Sequence, residues 1–470
     1  MSDITAADPA PVPAPATVSA PASAPARTDL APVPIEPDGR ALALAAECPD
    51  CVFLRGTAEY DAGRVPWNLA IDLQPVAVAR PRHPAELAAV VRAAGRQGLR
   101  VAPQGSGHGA GPMAGRDLSG VVLVRLDAWR TVTVDPEART ARAAAGALWC
   151  DVVEAAAPYG LAPLHGSSHD VGVAGYTLGG GLSFYARKHG LATNALVSAE
   201  VVAASGEIRR VDAASDPDLF WALRGGGGNV AIVTELEFGL FEIPDAVAGM
   251  LLWDLTRAEP VLRRWVEWCS TAPDEVTTSL RFMRFPPLPE LPDFLRGRRL
   301  VVIDGAFLTD DARASELLAP LRALAPELDT FARVPAPAVL EMHMDPPAPT
   351  PAVGDGTILG ELDDAGLAAF LAEFGPDADT ALMFAELRQL GGALGRRLPT
   401  SGAVATLDGS FVLLCVALAV TPELAALGHA HATRGVTALA PWHNGRRYLN
   451  FNETRVDTSQ GYAPEDWERS

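Results

Sequence analysis

Between residues 75 and 103, the spacing of apolar residues changes from that of a strand to that of a helix and back. Pro75–Ala79 and Leu99–Ala102 are short apolar runs, which are typical of buried strands. Between them, Pro84–Gln97 repeats apolar residues at helical spacing, with a proline in the first turn and Gly98 just past the end. The pattern predicts a strand–helix–strand unit that leads directly into a glycine-rich loop.

The same patterns continue to residue 243 and predict two small α+β lobes, divided near residue 160. Alternating or continuous apolar runs predict strands, and segments with helical spacing predict short helices. The predicted strands are Val121–Leu126, Thr131–Val134, Arg139–Ala144, Ala199–Ala204, Glu207–Val211 and Val230–Phe238, and the predicted helices are Leu148–Tyr159, Phe184–His189 and Asp216–Leu223.

From residue 244 to residue 435, longer helices alternate with strands, which predicts a separate α/β or α+β domain over the first two lobes. The final segment, 436–470, contains an apolar stretch at Tyr448–Asn452 that we predict to be a strand returning to the first domain. The predicted helices of residues 244–435 are Glu259–Ser270, Asp310–Leu324, Asp364–Glu373 and Thr421–Leu427, and the strands are Val301–Leu308, Thr380–Leu390 and Ser410–Ala419.

Composition narrows the class of protein. Residues 1–39 are mostly alanine and proline, so we expect a disordered arm that has little to bury. The chain has 470 residues, a net charge of −19 and no long basic cluster, which argues against a nucleic-acid partner. Its apolar runs are too short for a membrane span, and the arm lacks the features of a secretory signal, so a cytoplasmic location is expected.

Three glycine clusters carry the candidate chemistry: Gln104–Gly109, Gly172–Gly181 and Arg224–Asn229. Without side chains, glycines let successive backbone N–H groups turn toward a diphosphate, so the loops predict a dinucleotide site between the lobes. His108 lies inside the first cluster. His165 and His169 have a possible metal spacing, but no cysteine or carboxylate set completes a site, so no metal is expected.

These motifs resemble the FAD-linked oxidases of the vanillyl-alcohol-oxidase superfamily, most closely the berberine-bridge-enzyme-like branch, over residues 45 to 469. The resemblance implies an α+β fold: a two-lobed PCMH-type FAD-binding domain at residues 40–243 plus an α/β substrate (cap) domain at 244–435. It implies FAD contacts from Gln104, Gly105, Ser106, Gly107, His108, Gly109, Ser168, Gly172, Gly175, Gly179, Gly180, Gly181, Asn229, Ile232, Val233 and Asn450.

The resemblance also implies that His108 is joined covalently to the 8α-methyl carbon of the flavin. A neutral imidazole nitrogen can add to the electrophilic form of that methyl group. The alternative is a histidine that only hydrogen-bonds within the glycine turn. Doubly attached family members have a cysteine where this chain has Ser168, and a hydroxyl is a much poorer nucleophile than a thiolate. One covalent bond is therefore expected.

This chain departs from the family pattern in two further places. Val230 and Ala231 replace an aromatic residue and a glycine after the third cluster, which we expect to shift the following strand slightly against the adenine. Family members generally continue through a helix and an Asp-Pro-containing tail, whereas this sequence stops at Ser470. We expect this to reduce stability or activity.

The expected reaction is hydride transfer from an alcohol, sugar, amine or secondary metabolite to the flavin, with O2 as the electron acceptor. Glu386 and Arg388 share a face of one predicted strand, as a base and an anion-binding group. An ion-paired structural face is an equal alternative for these two. Tyr448 is a second candidate base, and Asn450 follows it by two residues.

Other classes of function stay open at this point. The protein could bind flavin without turnover, or it could be a dehydrogenase that uses an acceptor other than O2. A non-flavin nucleotide binder is weakly supported, because neither a P-loop motif nor a strand-borne GxGxxG with its acidic partner is present.

Overall fold

The computed structural model describes residues 38–287, 289, 291–346 and 348–469. Of the predicted arm, residues 1–37 lie outside the described residues, and Gly39 already begins the first helix. The chain opens with three helices and a four-stranded sheet in the order β1–β2–β4–β3, with β2, β4 and β3 parallel. The elements are α1 (Gly39–Glu47), β1 (Val52–Leu54), α2 (Ala58–Gly63), β2 (Ala77–Ala79), α3 (Pro84–Arg96), β3 (Arg100–Gln104) and β4 (Val121–Arg125).

The predicted strand–helix–strand unit is present as β2, α3 and β3. His83 caps α3 by accepting a hydrogen bond from the Glu86 N–H, and Pro84 occupies the first turn, where a missing N–H costs nothing. β3 pairs with β4 through its last residue, Gln104. The parallel pairing of β3 with β4 therefore places the first glycine cluster at the carboxyl edge of this sheet.

A second, antiparallel sheet in the order β5–β6–β10–β8–β9 forms the other lobe. Its core joins Trp149 and Phe220 from the flanking helices to Leu236 and Phe238 of the central strand. The elements are β5 (Val132–Asp135), β6 (Thr140–Ala144), α4 (Trp149–Ala156), β7 (Leu161–Ala162), α5 (Val173–Leu178), α6 (Ala186–His189), β8 (Leu196–Val202), β9 (Ile208–Asp212), α7 (Pro217–Leu223), β10 (Ile232–Gly239) and β11 (Phe241–Glu242).

The next strands form a large antiparallel sheet in the order β15–β12–β14–β13–β18–β19–β17, with β16 paired to β12. Because its ladders are antiparallel, the α+β description suits this part better than a parallel α/β one. The elements are β12 (Asp245–Asp254), α8 (Ala258–Cys269), β13 (Val276–Arg284), β14 (Arg299–Phe307), α9 (Asp311–Arg322), β15 (Leu328–Asp329), β16 (Ala332–Pro335), β17 (Ala352–Leu359), α10 (Asp364–Phe374), β18 (Phe384–Gln389), β19 (Phe411–Leu418), α11 (Pro422–Ala438) and α12 (Pro464–Arg469).

The two faces of this sheet have different surroundings. Helices α8 to α11 cover one face, where Trp265 and Phe370 pack against Phe282 and Leu387 in one core cluster. Alternate residues of β18 point to the other face. Glu386 and Arg388 are among them, as the strand period of two requires, and both line a cavity.

The predicted C-terminal strand at Tyr448–Asn452 is wrong. The structure has a short 3-10 helix, Leu449–Phe451, in its place. The Phe451 N–H and the Asn452 side-chain amide both donate to the Tyr448 carbonyl, at 2.9 and 3.0 Å. These local hydrogen bonds compete with a sheet ladder and close the segment into a turn.

The described residues fall into one compact unit, and the domain boundaries at residues 243 and 435 stay predictions. Within this part of the chain, no helix is both long and apolar enough to cross a membrane.

Candidate functional site

A cavity of about 1210 Å³ is lined by all three glycine clusters, by β18 and by the C-terminal turn. This volume exceeds that of ordinary small-ligand pockets, roughly 300–1,000 Å³, and suits a dinucleotide with a substrate. Most of the predicted cofactor residues line it: Gln104, Gly105, Ser106, Gly107, His108, Gly109, Ser168, Gly172, Gly175, Gly179, Asn229, Val233 and Asn450.

The glycines of the cavity wall leave room for a bound group. A Cβ added at Gly109 or Gly175 would meet no protein atom within 4 Å, and at Gly105 only the Ala145 carbonyl at 3.8 Å. Side chains at these positions would therefore project into the cavity. Gly107 has a different role, since its φ of +88° lies in the left-handed region that favours glycine.

Three predicted cofactor residues, Gly180, Gly181 and Ile232, lie behind the cavity wall instead. The Gly181 N–H donates to the Tyr448 hydroxyl at 3.1 Å. A Cβ at Gly181 would fall 2.5 Å from the Tyr176 ring, so this glycine permits close packing of the second cluster. Ile232 is buried at the start of β10, in the core of the first lobe.

His108 is held in the cavity wall by two neighbours. Its ring stacks on Trp67, with centroids 4.0 Å apart and an interplanar angle of 20°. Its Nε2 lies 3.0 Å from Asp170 Oδ1. Trp67 and Asp170 were missed by the sequence reasoning, because neither belongs to a glycine motif and only the fold brings them to His108.

Asp170 is itself fixed by further hydrogen bonds. Ser168 Oγ donates to Oδ1 at 2.8 Å, and the Trp67 indole N–H donates to Oδ2. Burial raises the pKa of Asp170, but the hydrogen bond and charge of His108, with the bonds from Trp67 and Ser168, outweigh it and lower the pKa to about 2. Asp170 is therefore an ionised carboxylate that only accepts hydrogen bonds.

On the cap side, Glu386 and Arg388 form a buried ion pair at 2.7 Å. Burial alone would raise the pKa of Glu386, but the Arg388 charge and a bond from His343 lower it to about 2. Glu386 is thus held ionised by its neighbour, which makes it a poor proton acceptor. The Arg388 guanidinium lies over the Phe184 and Phe451 rings, 5.2 Å from each centroid.

A network of buried polar groups surrounds this pair. The ladder sets Ser279 opposite both Asp304 and Arg388, and Arg281 opposite Glu386, so three strands contribute to it. Asp304 accepts hydrogen bonds from Ser279 and Arg281 and lies 2.8 Å from His343 Nδ1.

His343 joins this network to the cavity, which it lines with Asp345. Burial and the Arg281 charge lower the pKa of His343, but Asp304 and Asp345 outweigh them and raise it. His343 comes from a segment with no regular pattern, and only the tertiary structure reveals it.

Tyr448 and Asn450 meet the second glycine cluster from the C-terminal turn. The Tyr448 hydroxyl oxygen accepts hydrogen bonds from the Gly181 N–H and from Asn450 Nδ2, both at 3.1 Å. Burial raises the pKa of Tyr448 to about 12, although both donors act to lower it. The Tyr176 hydroxyl is buried without a protein hydrogen-bond partner among the described residues, and its side chain also lines the cavity.

Glu453 is a further cavity carboxyl that the sequence reasoning missed. It lies against Gly111, in the 3-10 helix that begins at His108, and accepts a hydrogen bond from Asn68 at 3.2 Å. Burial raises its pKa to about 7, against a smaller lowering by Asn68. The carboxyl therefore changes charge near neutral pH.

The donor set fits a flavin dinucleotide. Glycines of all three clusters line the cavity, Tyr176 offers a hydroxyl without a protein partner, and the fixed His108 imidazole belongs to the same wall. These residues could hold a diphosphate, the polar edge of a ring system and a covalent bond.

Comparison with known proteins agrees with this geometry. Residues 75–212 match a family model described as an FAD binding domain. The solved structure of Physcomitrella patens BBE-like 1 superposes with a TM-score of 0.78 at 21% identity, over 91% of this chain and 94% of that one. The predicted resemblance is thus confirmed: the protein carries an FAD-binding domain and has the fold of the berberine-bridge-enzyme-like flavoproteins.

Two further comparisons concern a sugar oxidase. Glucooligosaccharide oxidase of Sarocladium strictum is 33% identical over 225 residues, which are 47% of this chain and 45% of that protein. The chain thus spans about half the length of this curated relative. The solved structure of glucooligosaccharide oxidase from Acremonium strictum, which has a 6-S-cysteinyl, 8α-N1-histidyl FAD, superposes with a TM-score of 0.77 at 22% identity, over 92% of this chain and 95% of that one.

Proposed function

We propose that this protein is an FAD-linked oxidase of small hydroxylated substrates, with its FAD attached covalently through His108 alone. The observation that carries the proposal is that one cavity joins the glycine cradle, the fixed His108 ring and the polar residues of β18. A bound flavin supplies the ring that accepts a hydride and returns two electrons to O2.

The chain's own residues would bind and orient the substrate. Arg388 can donate hydrogen bonds to a substrate oxygen, because Arg388 is one of the residues that line the cavity and Glu386 holds its guanidinium in place. Contacts with the Phe184 and Phe451 rings also restrict its movement. These contacts orient a polar substrate without transferring a proton.

Tyr448 is the residue that we assign to proton transfer. Only the phenolate form of Tyr448 can take the proton of a substrate hydroxyl. The two N–H bonds that its oxygen accepts favour this form, whereas burial, which raises the pKa of Tyr448 to about 12, opposes it. Glu386 is the weaker candidate, because its ion pair with Arg388 holds the carboxylate in its charged form and lowers its tendency to take up a proton. The sugar oxidase among the relatives favours an alcohol or sugar hydroxyl as the reacting group.

The first test is the absorbance spectrum of the purified protein before and after acid precipitation, beside a His108→Ala variant. Wild-type protein should keep its yellow colour in the pellet, because a covalent bond survives unfolding, whereas the variant should release it to the supernatant. His169→Ala is the matched control: its side chain is 31% exposed and lies 3.9 Å from Glu341, so its pellet should stay yellow.

Colour released from wild type and His108→Ala alike would leave a dissociable flavin and remove the covalent part of the proposal. A colourless protein would contradict the FAD assignment. If the protein is yellow, a panel of sugars, alcohols and amines is tested for peroxide release. Flavin reduction without peroxide would indicate a dehydrogenase with another acceptor, and no reduction by any compound would indicate a flavin-binding protein without turnover.

A further inference from the structure

The His108 imidazole is restrained by protein contacts through one of its two nitrogens only. Nε2 lies 3.0 Å from Asp170 Oδ1, and the ring plane is set by stacking on Trp67. Among the described residues, no protein group hydrogen-bonds to Nδ1. The ring lines the cavity in which the flavin would lie. Its two nitrogens are thus chemically distinct before any cofactor binds.

The charge state of Asp170 decides which nitrogen carries the proton. An ionised carboxylate can only accept a hydrogen bond, so in a neutral imidazole the nitrogen facing it must be the N–H. Asp170 has no freedom to turn away, because Ser168 and Trp67 donate to its two oxygens. The proton therefore lies on Nε2, and Nδ1 keeps the free lone pair.

We propose that Asp170 is a positioning residue for covalent attachment of the flavin: it fixes the tautomer of His108 so that Nδ1 is the attacking nitrogen. This inference rests on the proposed function. Ser168 then has a role of its own. Its hydroxyl donates to Asp170 Oδ1 at 2.8 Å and so holds the carboxylate in place.

Covalent attachment is a two-electron oxidation of the flavin 8α-methyl carbon, with O2 as the final oxidant. A C–H bond of the flavin 8α-methyl group breaks and a bond from Nδ1 to that carbon forms. The methyl proton and the imidazole proton are released, while two electrons remain on the flavin ring, which takes up two protons. O2 then removes two electrons and two protons and leaves as hydrogen peroxide.

Asp170 also acts on the charge that develops in this step. When Nδ1 forms its bond, the imidazole becomes positively charged until the Nε2 proton leaves. A carboxylate at 3.0 Å stabilises that charge, as the aspartate of a serine-protease triad stabilises its imidazolium. Tautomer and charge both favour attachment, and both depend on the same carboxylate.

The test is Asp170→Asn, which keeps the shape but not the charge of the side chain. Its amide can donate to Nε2 and so favours the tautomer with the proton on Nδ1, which blocks attack. Full-length FAD-free protein from riboflavin-starved cells is mixed with FAD in air, and acid-precipitated flavin is followed with time. Attachment in the variant should be at least about 100-fold slower, given losses of about 10⁴ for the equivalent tautomer error in a protease triad.

Two further variants make the result specific. Glu341→Gln is the matched control, because it removes a carboxylate that lies 3.9 Å from another histidine, His169, with a side chain that is 69% exposed, so it should attach FAD at the wild-type rate. Asp170→Glu keeps the carboxylate and should recover part of the rate. A purely structural role would make the Asn and Glu variants equally slow and would overturn the inference.

The outcomes separate this inference from the proposed function. If wild-type protein takes up no FAD, the proposed function fails. If it attaches FAD and Asp170→Asn does so at the same rate, only the role of Asp170 fails. Dissociable FAD bound by Asp170→Asn shows that the variant is folded.

A measurement on the wild type does not depend on how the Asp170 variant folds. In ¹⁵N-histidine-labelled FAD-free protein, the signals missing from His108→Ala identify the ring nitrogens of His108. Nε2 should show the shift of a protonated nitrogen and Nδ1 that of an unprotonated one. The reverse assignment would overturn the inference.

Discussion

Gly179→Ala tests how the C-terminal turn is held against the second glycine cluster. A Cβ on Gly179 would fall 1.9 Å from Asn450 Oδ1, so the Asn450 side chain must move. It would then lose its hydrogen bonds to the Tyr176 carbonyl at 3.0 Å and to the Tyr448 hydroxyl at 3.1 Å. At about 1 kcal/mol for each bond, the loss is about 2 kcal/mol.

Gly175→Ala is the matched control from the same helix, α5. Its Cβ would meet no protein atom within 4 Å, so the FAD-free protein should gain roughly 0.5–1 kcal/mol from the lower backbone entropy of the unfolded chain. The same entropy gain at Gly179 leaves a net destabilisation of about 1 kcal/mol or more. Because Gly175 lines the cavity, its methyl group should instead reduce FAD content.

Both substitutions are made in a His108→Ala background, from which FAD can be removed, and the free energy of unfolding is measured in urea. We expect Gly179→Ala below and Gly175→Ala slightly above the parent. Equal stability of the two variants would refute the argument, because it would mean that Asn450 does not need the space that Gly179 leaves.

Two further predictions concern buried carboxyls. The pKa of Glu453, raised from 4.5 to about 7, means that the folded FAD-free protein keeps a proton which the unfolded chain loses, so stability falls as the pH rises from 4.5 to 7. Glu453→Gln should remove this loss, so its free energy of unfolding in urea should rise by about 2–3 kcal/mol relative to wild type between pH 5 and pH 8. A difference between the two proteins that does not change with pH would contradict the prediction. Glu386→Gln leaves the Arg388 charge buried and unpaired and should cost about 3–5 kcal/mol, most of it recovered in the double variant with Arg388→Met. If the double variant is no more stable than Glu386→Gln alone, the ion pair is not what stabilises this wall.

The parts of the site that the sequence predicts are those built from local backbone. The strand–helix–strand unit and the loop at Gln104–Gly109 are predictable because spacing, caps and glycines act over a few residues. Trp67 and Asp170 could not be found in this way. They are 103 residues apart, and their hydrogen bond exists only after the two lobes have folded.

The large antiparallel sheet shows a second limit of prediction from sequence. β13 was not predicted, because it is buried on both faces and does not alternate cleanly between apolar and polar residues. Ser279 and Arg281 are polar but point into a buried network rather than to solvent. A pattern argument assigns polar residues to the surface, and it fails where a strand contributes to a buried polar network.

The pairing of Glu386 with Arg388 shows why burial, and not spacing, decides the role of a predicted base. The two-residue spacing that brings both side chains to the cavity also brings their charges within 2.7 Å of each other. In water such a pair would be weak and the carboxylate would remain available. Glu386 is 1% exposed and Arg388 is 3% exposed, so solvent does not screen their attraction, and the carboxylate is held in its charged form.

A general base must gain a proton during the reaction, so the partner that helps to position Glu386 also makes it unfit for that task. Arg388 remains suited to binding a substrate oxygen, and proton transfer falls to Tyr448, which faces the same cavity.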